Sequence, residues 1–390
     1  MMESYANQAI QSVLHSQKAY CKFLSANDAG ATGSNQFGIL VSKSVSDMLF
    51  NEPLGSSNIM KRSARINWQN DFFTDSNFTY YDSKKELRIT KFGRGFPLLQ
   101  PENTGSLFVL TKQDTDHYSA FILDSEDDIE YFMDAFSMSP TETNREISAG
   151  RVTPGAVEVM AAYEYINSLT VDFPSSYDMS AAAQEIQNRA YNHLEYIRTN
   201  PDRKIIEWTD TEYFLFRLLE EKRYRPFLIQ GFGTVDSFLS LAQVALNRRK
   251  SRAGKSLEHH LSAIFDGNNL LYTAQAITEG KKKPDFIFPS QDAYHDLSFP
   301  TERLISLASK TTCKDRWRQV INEADRLRDQ PKYLFTLQQG ISPAQMDEMQ
   351  AENVILVVPK DYIGSYPANR QDRIWTLSRF VGYVREKEGL

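Results

Sequence analysis

Cysteine is nearly absent from this sequence, which contains only Cys21 and Cys313 among its 390 residues. Two cysteines so far apart exclude a disulfide framework and a four-cysteine zinc site, and they favour a reduced, cytoplasmic setting. The longest apolar run, Val354 to Val358, is too short to cross a bilayer. The first residues, MMESYANQAIQS, lack the pattern of a signal peptide. We therefore expect a cytoplasmic protein without membrane contact.

An excess of positive charge is also missing, because the formal net charge is -6 and the pI is near 5.7. A protein that coats nucleic acid without regard to sequence is usually basic, so any such contact here must come from local clusters. What is present, 41% hydrophobic and 12% aromatic residues, indicates globular folding throughout. A chain of 390 residues is long for one core and suits two domains.

The first half is predicted to be rich in β-strands. After a helix-like stretch at 5–24, apolar runs predict strands at Phe37 to Val41, Ala64 to Trp68, Leu87 to Phe92, Leu107 to Thr111 and Ser119 to Leu123. Since only short helix candidates lie between them, we expect a barrel or sandwich of roughly 150 residues. Its two polar loops offer donors and acceptors suited to base edges and phosphates: Lys22, Ser25, Asn27 and Asp28 in the first, and Arg88, Lys91, Arg94, Glu102 and Asn103 around the second. The alternative interpretation of the first loop is a tight surface turn.

The second half is predicted to be α/β with a central mixed sheet. Pro, Gly and Ser positions with weak periodicity indicate a boundary, so we expect domains at 1–165 and 181–390 with a hinge at 166–180. Helical periodicity begins at Ala181, and further patterns predict strands at Tyr333 to Leu337 and Val354 to Val358 and helices near 341–351 and 369–387.

Two carboxylates and a lysine are expected to converge in the stretch Pro284 to Glu323. Asp285 precedes the apolar run Phe286 to Phe288, and Lys310 ends a predicted strand. Glu323 is predicted to lie on a helix that starts at Trp317, with Thr311 or Thr312 as its N-cap. Asp285 and Glu323 could hold Mg²⁺ through oxygen ligands, and Lys310 could orient water or neutralise charge on a phosphorane. The alternative is a strand start followed by surface charges.

A basic cluster stands at NRRKSRAGKSLE, residues 247 to 258. Its cations are Arg248, Arg249, Lys250, Arg252 and Lys255. Beside an acidic metal centre they would suit the phosphates that flank a scissile bond, whereas the plainer interpretation is a solvated helix start. The adjacent His259 and His260 point about 100° apart on a helix, which is poor geometry for one metal ion, so we expect structural roles.

The string KTTCKDRWRQ at 310–319 closely resembles the catalytic segment of the EcoRII-type restriction endonucleases, which belong to the PD-(D/E)XK nuclease superfamily. The resemblance continues through NRRKSRAGKSLE at 247–258, YTAQAITEG at 272–280 and LFTLQQG at 334–340. It includes SANDAGATG at 25–33 and GRGFPLLQPENTG at 93–105, so it covers nearly the whole chain in order.

This resemblance implies a B3-like pseudobarrel in the first half, with two DNA-recognition arms near 20–36 and 88–103. Asn35 would belong to the first arm, where family members carry a histidine nearby, and Phe23 stands where they carry an arginine. In the catalytic half, the resemblance implies that Glu258 is an auxiliary acid. Tyr294 is a minor candidate with a core aromatic as the alternative, and Lys314 would support Lys310 or hold a phosphate.

Asp315 and Arg316 could recognise both bases of a G·C pair, because arginine donates to guanine O6 and N7 and aspartate accepts from cytosine N4. The alternative is ordinary charge in a first helical turn.

The family likeness implies a Type IIE restriction endonuclease that cuts CCWGG or a CCNGG relative and leaves 5′-phosphates. It implies a homodimer, a companion DNA methyltransferase, an N-terminal domain that inhibits until it binds a second site, and a flipped base pair stacked on Trp208 or Tyr213. The other hypotheses are a non-cutting DNA-binding regulator and a repair nuclease.

Overall fold

Two β-sheets with separate cores organise the chain. The computed structural model describes residues 4–32, 38–55, 57–70, 72–93, 96–114, 116–147, 156–191, 193–280, 282–314 and 316–389. Among these residues, no helix is both long enough and apolar enough to cross a membrane.

The N-terminal sheet is large, curled and mixed. Its eight strands are β1 (Lys18–Phe23), β2 (Ile39–Val41), β3 (Ile59–Trp68), β4 (Phe72–Tyr81), β5 (Glu86–Thr90), β6 (Leu107–Lys112), β7 (His117–Leu123) and β8 (Arg145–Glu146). They run in the order β2-β5-β4-β3-β7-β6-β1-β8, and all pairs are antiparallel except β3 with β7. Three helices accompany it: α1 (Tyr5–His15), α2 (Ser46–Leu49) and α3 (Glu126–Ala135). The prediction of a β-rich first half is therefore confirmed.

One local prediction in this half is wrong, and one long strand was not predicted. The helix expected over 5–24 ends at His15, and β1 follows it. This strand is buried on both faces, since Tyr20 packs into the core inside the sheet and Cys21 into the core beneath α1 and α3. Such a strand does not alternate in polarity, which hides it from pattern recognition. β4 also escaped prediction, because its sequence FFTDSNFTYY carries the polar residues of a loop.

A helical layer connects the two sheets. Its members are α4 (Ala156–Ser168), α5 (Ser176–Tyr191), α6 (Tyr196–Thr199), α7 (Pro201–Gln230) and α8 (Val235–Gly267). α4 packs on α5 and α7 in one apolar cluster that includes Ala162, Met179 and Leu215. The predicted hinge at 166–180 thus contains the end of α4 and the start of α5. The change of packing partner falls earlier, between Ile147 and α4.

The C-terminal sheet is mixed, as predicted. Its strands are β9 (Thr273–Ala274), β10 (Phe286–Phe288), β11 (Ile305–Lys310), β12 (Lys332–Thr336), β13 (Val354–Val358) and β14 (Trp375–Thr376), in the order β14-β13-β12-β11-β10-β9. β11 to β14 are parallel to one another, whereas β9 and β10 join antiparallel. The helices are α9 (Gln291–His295), α10 (Trp317–Val320), α11 (Pro343–Ala351) and α12 (Leu377–Glu388). Lys310 therefore lies at the carboxyl end of a central strand.

Two helix boundaries differ from expectation. α10 ends at Val320, so Glu323 lies in the turn after it, and the N-cap is Arg316 without a side-chain cap bond. The chain must turn here because Trp317 packs in one core, with Leu334, while Leu327 packs in another, with Ile287. The helix predicted over 369–387 starts only at Leu377, after β14.

Candidate active site

Asp285 is held by hydrogen bonds on both of its carboxylate oxygens. It stands immediately before β10, and the adjacent strand β11 supplies Ser309, whose backbone N–H donates to Oδ2 at 2.7 Å and whose hydroxyl donates at 3.1 Å. On the other side, Gln275 Nε2 donates to Oδ1 at 2.9 Å. These bonds fix the plane of the carboxylate beside the end of the strand that carries Lys310.

Three further charged side chains surround Asp285. Burial, followed by the charge of Asp285, raises the pKa of Glu323 to about 7, and the charge of Lys310 opposes this rise. Burial and Asp285 likewise raise the pKa of Glu258 to about 7, against the opposing effects of the Gln275 hydrogen bond, Lys310 and Lys255. Asp285, Glu258, Glu323 and Lys310 therefore form one electrostatic cluster, drawn from α8, β10, β11 and the turn after α10.

The donor chemistry of this cluster fits a divalent cation. Carboxylate oxygens are the ligands that Mg²⁺ prefers, and a cation beside Asp285 would relieve the repulsion that raises the pKa of Glu258 and Glu323. Among the described residues, no group of three or more His, Cys, Asp or Glu side chains is arranged to hold a metal ion. Asp285 and Glu323 are the two carboxylates that would hold such a cation, and Mg²⁺ usually keeps water and substrate phosphate oxygens in the rest of its shell.

The cluster borders a cleft of about 240 Å³ between the two halves of the chain. Glu258, Lys310, Thr311 and Thr312 line it from the catalytic side. Glu130, Met133 and Asp134 of α3 line it from the N-terminal side. Burial and the charge of Glu130 raise the pKa of Asp134 to about 6. Residues of α3 therefore face the carboxyl end of β11 across this cleft.

Lys314 and Arg316 contact carboxylates of the N-terminal half. The backbone N–H groups of both residues donate to Glu126 Oε2 at 3.1 Å. The side chain of Arg316 donates to Glu130 at 2.6 Å and to Asp127 at 3.1 Å. Lys314 Nζ donates to Ser106 Oγ at 2.8 Å and pairs with Asp124. Asp315 lies outside the described residues.

The predicted basic cluster on α8 divides into paired and exposed members. Arg249 forms a two-pronged pair with Glu220 and donates to the carbonyls of Asp134 and Ala135 at the end of α3. Arg252 is buried, with its guanidinium 4.0 Å from the ring centre of Tyr213. Arg248 donates to the hydroxyl of Tyr224 at 2.5 Å, and its guanidinium lies 3.8 Å from the ring centre of Phe173. Lys250 lines the cleft, and Lys255 is exposed beside Glu258.

The aromatic candidates are core residues in this structure. Tyr294 is buried, and its hydroxyl donates to Glu279 and accepts from the backbone of Arg326, so it connects loops below the sheet. Trp208 and Tyr213 are buried in α7. The indole of Trp208 donates to Asn188 at 3.2 Å.

The predicted N-terminal arms contain both internal and exposed side chains. Lys22 Nζ donates to Asp28 and to the carbonyl of Leu40 at 2.7 Å each. The hydroxyl of Ser25 donates to the same aspartate at 2.8 Å. Arg88 is buried and donates to Glu86 and to Gly38 O. The turn residues are less engaged: Asn27 and Asn103 accept local bonds, while Lys91 and Glu102 are exposed. Asn35 and Arg94 lie outside the described residues.

Sequence reasoning overlooked Gln275, Ser309 and the acidic face of α3. Gln275 and Ser309 are ordinary polar residues, and no spacing rule would select them before the sheet register is known. The α3 sequence EDDIE did offer a signal, because an acidic first turn complements the cationic segment Lys314-Asp315-Arg316.

Comparisons with known proteins agree on one family. The model of the EcoRII C-terminal domain matches residues 216–381, and that of the restriction endonuclease EcoRII N-terminal domain matches residues 14–164. The Type II restriction enzyme EcoRII of Escherichia coli is 35% identical over 98% of this chain and 97% of its own. Two solved DNA complexes also align. Metal-depleted Ecl18kI with uncleaved, modified DNA has TM-score 0.45 and 20% identity over 61% of this chain and 85% of its own. The PspGI complex with substrate DNA has TM-score 0.45 and 17% identity over 56% of this chain and 94% of its own.

The full-length match to the E. coli enzyme and the two domain matches, in the same order along the chain, place both halves in one family. The resemblance inferred from the sequence is thereby confirmed. The chain belongs to the EcoRII family of Type II restriction enzymes, and it is a site-specific deoxyribonuclease.

Proposed function

We propose that this enzyme hydrolyses both strands of double-stranded DNA, with Asp285, Glu323 and Lys310 as the catalytic residues. The clustering of these charges at the carboxyl end of β11 supports this assignment. Mg²⁺ held by Asp285 and Glu323 would supply the charge that neutralises the phosphate. The Lys310 ammonium orients the attacking water or stabilises the negative charge that develops on the phosphorane. Glu258 joins the cluster as an auxiliary acid.

The target is a CCWGG or CCNGG-like sequence, cut to leave 5′-phosphates, and a companion DNA methyltransferase protects the host copies. The 35% identity to the Type II restriction enzyme EcoRII of E. coli supports the target class. Digestion of genomic DNA with and without Mg²⁺, followed by sequencing of the ends, tests the proposal. We expect discrete fragments sharing one terminal motif. Random ends, or equal cutting in EDTA, would contradict it.

The N-terminal half acts as an autoinhibitor that is released when it binds a second copy of the site. Its carboxylates Glu126, Asp127 and Glu130 engage Arg316, a residue that would otherwise face DNA phosphates or bases. The carboxylate oxygens of α3 thus occupy the N–H donors of Arg316 that would otherwise bind the phosphate oxygens of DNA. DNA and α3 compete for one surface.

Removal of the N-terminal half tests the inhibition. Because α4 packs on α5 and α7, we place the division at 148–155, and the truncated enzyme should begin near residue 156. We expect it to cut one-site DNA faster than the full chain does. An equal or lower rate, with a normal melting temperature for the truncated enzyme, would contradict autoinhibition.

The enzyme acts as a homodimer joined through the hairpin formed by the end of α7 and the start of α8. Residues 226–247 contain a single charged side chain, Asp236, yet much of this hairpin is exposed. Ile229 is 76% exposed and Val235 is 72% exposed. Depletion of charge is typical of interface cores. The 22 residues fall within the 20–30 residues that each partner contributes to a standard interface. One catalytic cluster per chain and two strands to cut favour a second copy as the partner.

The test is sedimentation of Ile229→Lys beside Leu14→Lys, which places the same charge at an exposed apolar position on α1. We expect Ile229→Lys alone to shift the enzyme toward monomer. A dimer of unchanged stability in both variants would assign the contact to another surface.

A further inference from the structure

The carboxamide of Gln275 connects two carboxylates of the catalytic cluster. Its Nε2 atom lies 2.9 Å from Glu258 Oε2 and 2.9 Å from Asp285 Oδ1. An ionised aspartate can only accept hydrogen bonds, so the NH₂ group rather than the oxygen must face it. A single amide therefore uses both of its N–H bonds to connect α8 with the residue that precedes β10.

The backbone of the same residue is held in an uncommon conformation. Gln275 has φ of 52°, in the left-handed region that non-glycine side chains seldom occupy. Its N–H donates to Asp285 O at 2.8 Å, directly after the short strand β9. Strained conformations of this kind persist where the surrounding structure holds them, and they cluster at functional sites.

Stability does not account for this arrangement. The side chain of Gln275 is exposed, and exposed hydrogen bonds contribute little to folding. Glycine would occupy the left-handed conformation without strain and would remove the carboxamide. The residue that stands here accepts strain and places a donor between two acids, which otherwise repel each other.

We propose that Gln275 is a positioning residue whose carboxamide sets the orientation of Asp285 and the distance of Glu258 from it, and so shapes the oxygen ligands that face the divalent cation. This inference rests on the proposed catalytic cluster. Ser309 fixes Oδ2 of Asp285, and Gln275 fixes Oδ1 and brings Glu258 into the same set. Without the carboxamide, Glu258 and Asp285 would separate by charge repulsion, and the carboxylate of Asp285 would lose the bond that orients Oδ1.

Three variants and a catalytic reference test the inference. Gln275→Leu keeps the size of the side chain and the backbone strain but removes both N–H donors. Gln275→Gly removes the donors and the strain together. Asn353→Gly is the matched control, since Asn353 also has a left-handed φ, 55°, but lies at the opposite end of the sheet from Lys310. Lys310→Ala reports on the catalytic cluster itself.

Two measurements apply to each full-length variant: single-turnover cleavage at saturating DNA, and Mn²⁺ binding to the DNA-free protein by isothermal titration calorimetry. Loss of a residue that orients metal ligands costs roughly 10–100-fold in metal affinity or activity. We expect Gln275→Leu and Gln275→Gly to lose both by a factor in that range, while the melting temperature of Gln275→Gly stays the same or rises. Asn353→Gly should keep both properties, with a smaller gain in stability because asparagine adopts the left-handed conformation more readily than glutamine.

Two results would overturn the inference. If Gln275→Leu and Gln275→Gly cleave and bind Mn²⁺ like the wild type while Lys310→Ala is inactive, the cluster stands and Gln275 has no positioning role. If Lys310→Ala cleaves normally, the proposed catalytic cluster itself fails, and the role of Gln275 is withdrawn with it.

Discussion

The catalytic cluster and the cationic surface beside it are held in opposite ways. Asp285, Glu258 and Lys310 owe their placement to α8, β10 and β11, all of which belong to the C-terminal sheet and its helices. Arg316 and Lys314 instead have their side-chain partners in the N-terminal half, on α3 and beside β6. The residues of the proposed hydrolytic centre thus belong to one half, whereas the surface that would receive DNA is shared with the other.

This difference indicates where the proposed inhibition would act. A domain that disordered the catalytic cluster would have to contact its residues, but the contacts found on α3 fall on Thr312, Lys314, Arg316 and Arg249. Under the proposed autoinhibition, these contacts would restrict access of DNA rather than disturb the catalytic cluster. Changes in the cluster should abolish cleavage, whereas changes at the domain contact should raise it.

The largest effect is expected for Lys310→Ala. Loss of the ammonium removes the charge that opposes the developing phosphorane, and removal of one such group costs about 10²–10³-fold in rate. DNA binding, measured by gel shift without divalent metal, should remain. Arg385→Ala, at an exposed position on α12, is the matched loss of a cation and should cut normally. Near-normal cleavage by Lys310→Ala would remove this residue from the mechanism.

A smaller effect in the opposite direction is expected for Gly105→Ala. A Cβ atom at Gly105 would lie 2.0 Å from Gly340 O, which belongs to the C-terminal half, so the two halves must separate there. We expect one-site DNA to be cut roughly tenfold faster, which corresponds to about 1.4 kcal/mol of lost closure.

Gly55→Ala separates this contact from backbone strain. Gly55 has φ of 96°, similar to the 82° of Gly105, but a Cβ there meets only Asp82 at an ordinary 3.7 Å. Both variants should lose stability, and only Gly105→Ala should cut faster. Equal cleavage by the two variants would show that the approach of Gly105 to Gly340 does not keep the domains together.

The smallest effect concerns pH. Burial and the charge of Glu142 raise the pKa of Asp210 to about 7, and Thr141 donates to this carboxyl group from the N-terminal half. Because the closed form favours the protonated acid, closure is fully stabilised at low pH and weakens as pH rises toward 7. From pH 6 to pH 7.5, the ratio of one-site to two-site cleavage should rise a few-fold in the wild type and stay constant in Asp210→Asn. An identical rise in both would assign the dependence to another group.

The sequence predicted the strands that position the catalytic residues because β10 to β13 are short apolar runs between turn residues. It also predicted that Asp285, Lys310 and Glu323 converge. The family likeness that supported this prediction is confirmed for the chain as a whole. The residue roles remain proposals. The end of α10 could not be predicted, since the apolar spacing from Trp317 to Leu327 continues although the chain turns between two separate cores.

The contact between the halves was beyond local patterns for a different reason. Pairs such as Lys314 with Asp124 and Arg316 with Glu130 are separated by more than 180 residues. Charge composition shows that both segments are polar, but it does not show that they face each other. The same holds for Gln275, whose importance depends on the antiparallel pairing of β9 with β10.

The most direct test of competition between α3 and DNA is single-turnover cleavage of a one-site duplex by the double variant Asp127→Asn, Glu130→Gln. These changes remove two partners of the Arg316 guanidinium and leave Glu126, which holds the backbone of Lys314 and Arg316. Asp128→Asn neutralises a neighbouring acid on the same helix as a control. At about 0.5–1 kcal/mol for each lost pair, we predict a roughly 5–30-fold faster rate for the double variant. The control should cut at the wild-type rate. A rate equal to that of the wild type, with an unchanged melting temperature, would contradict the account.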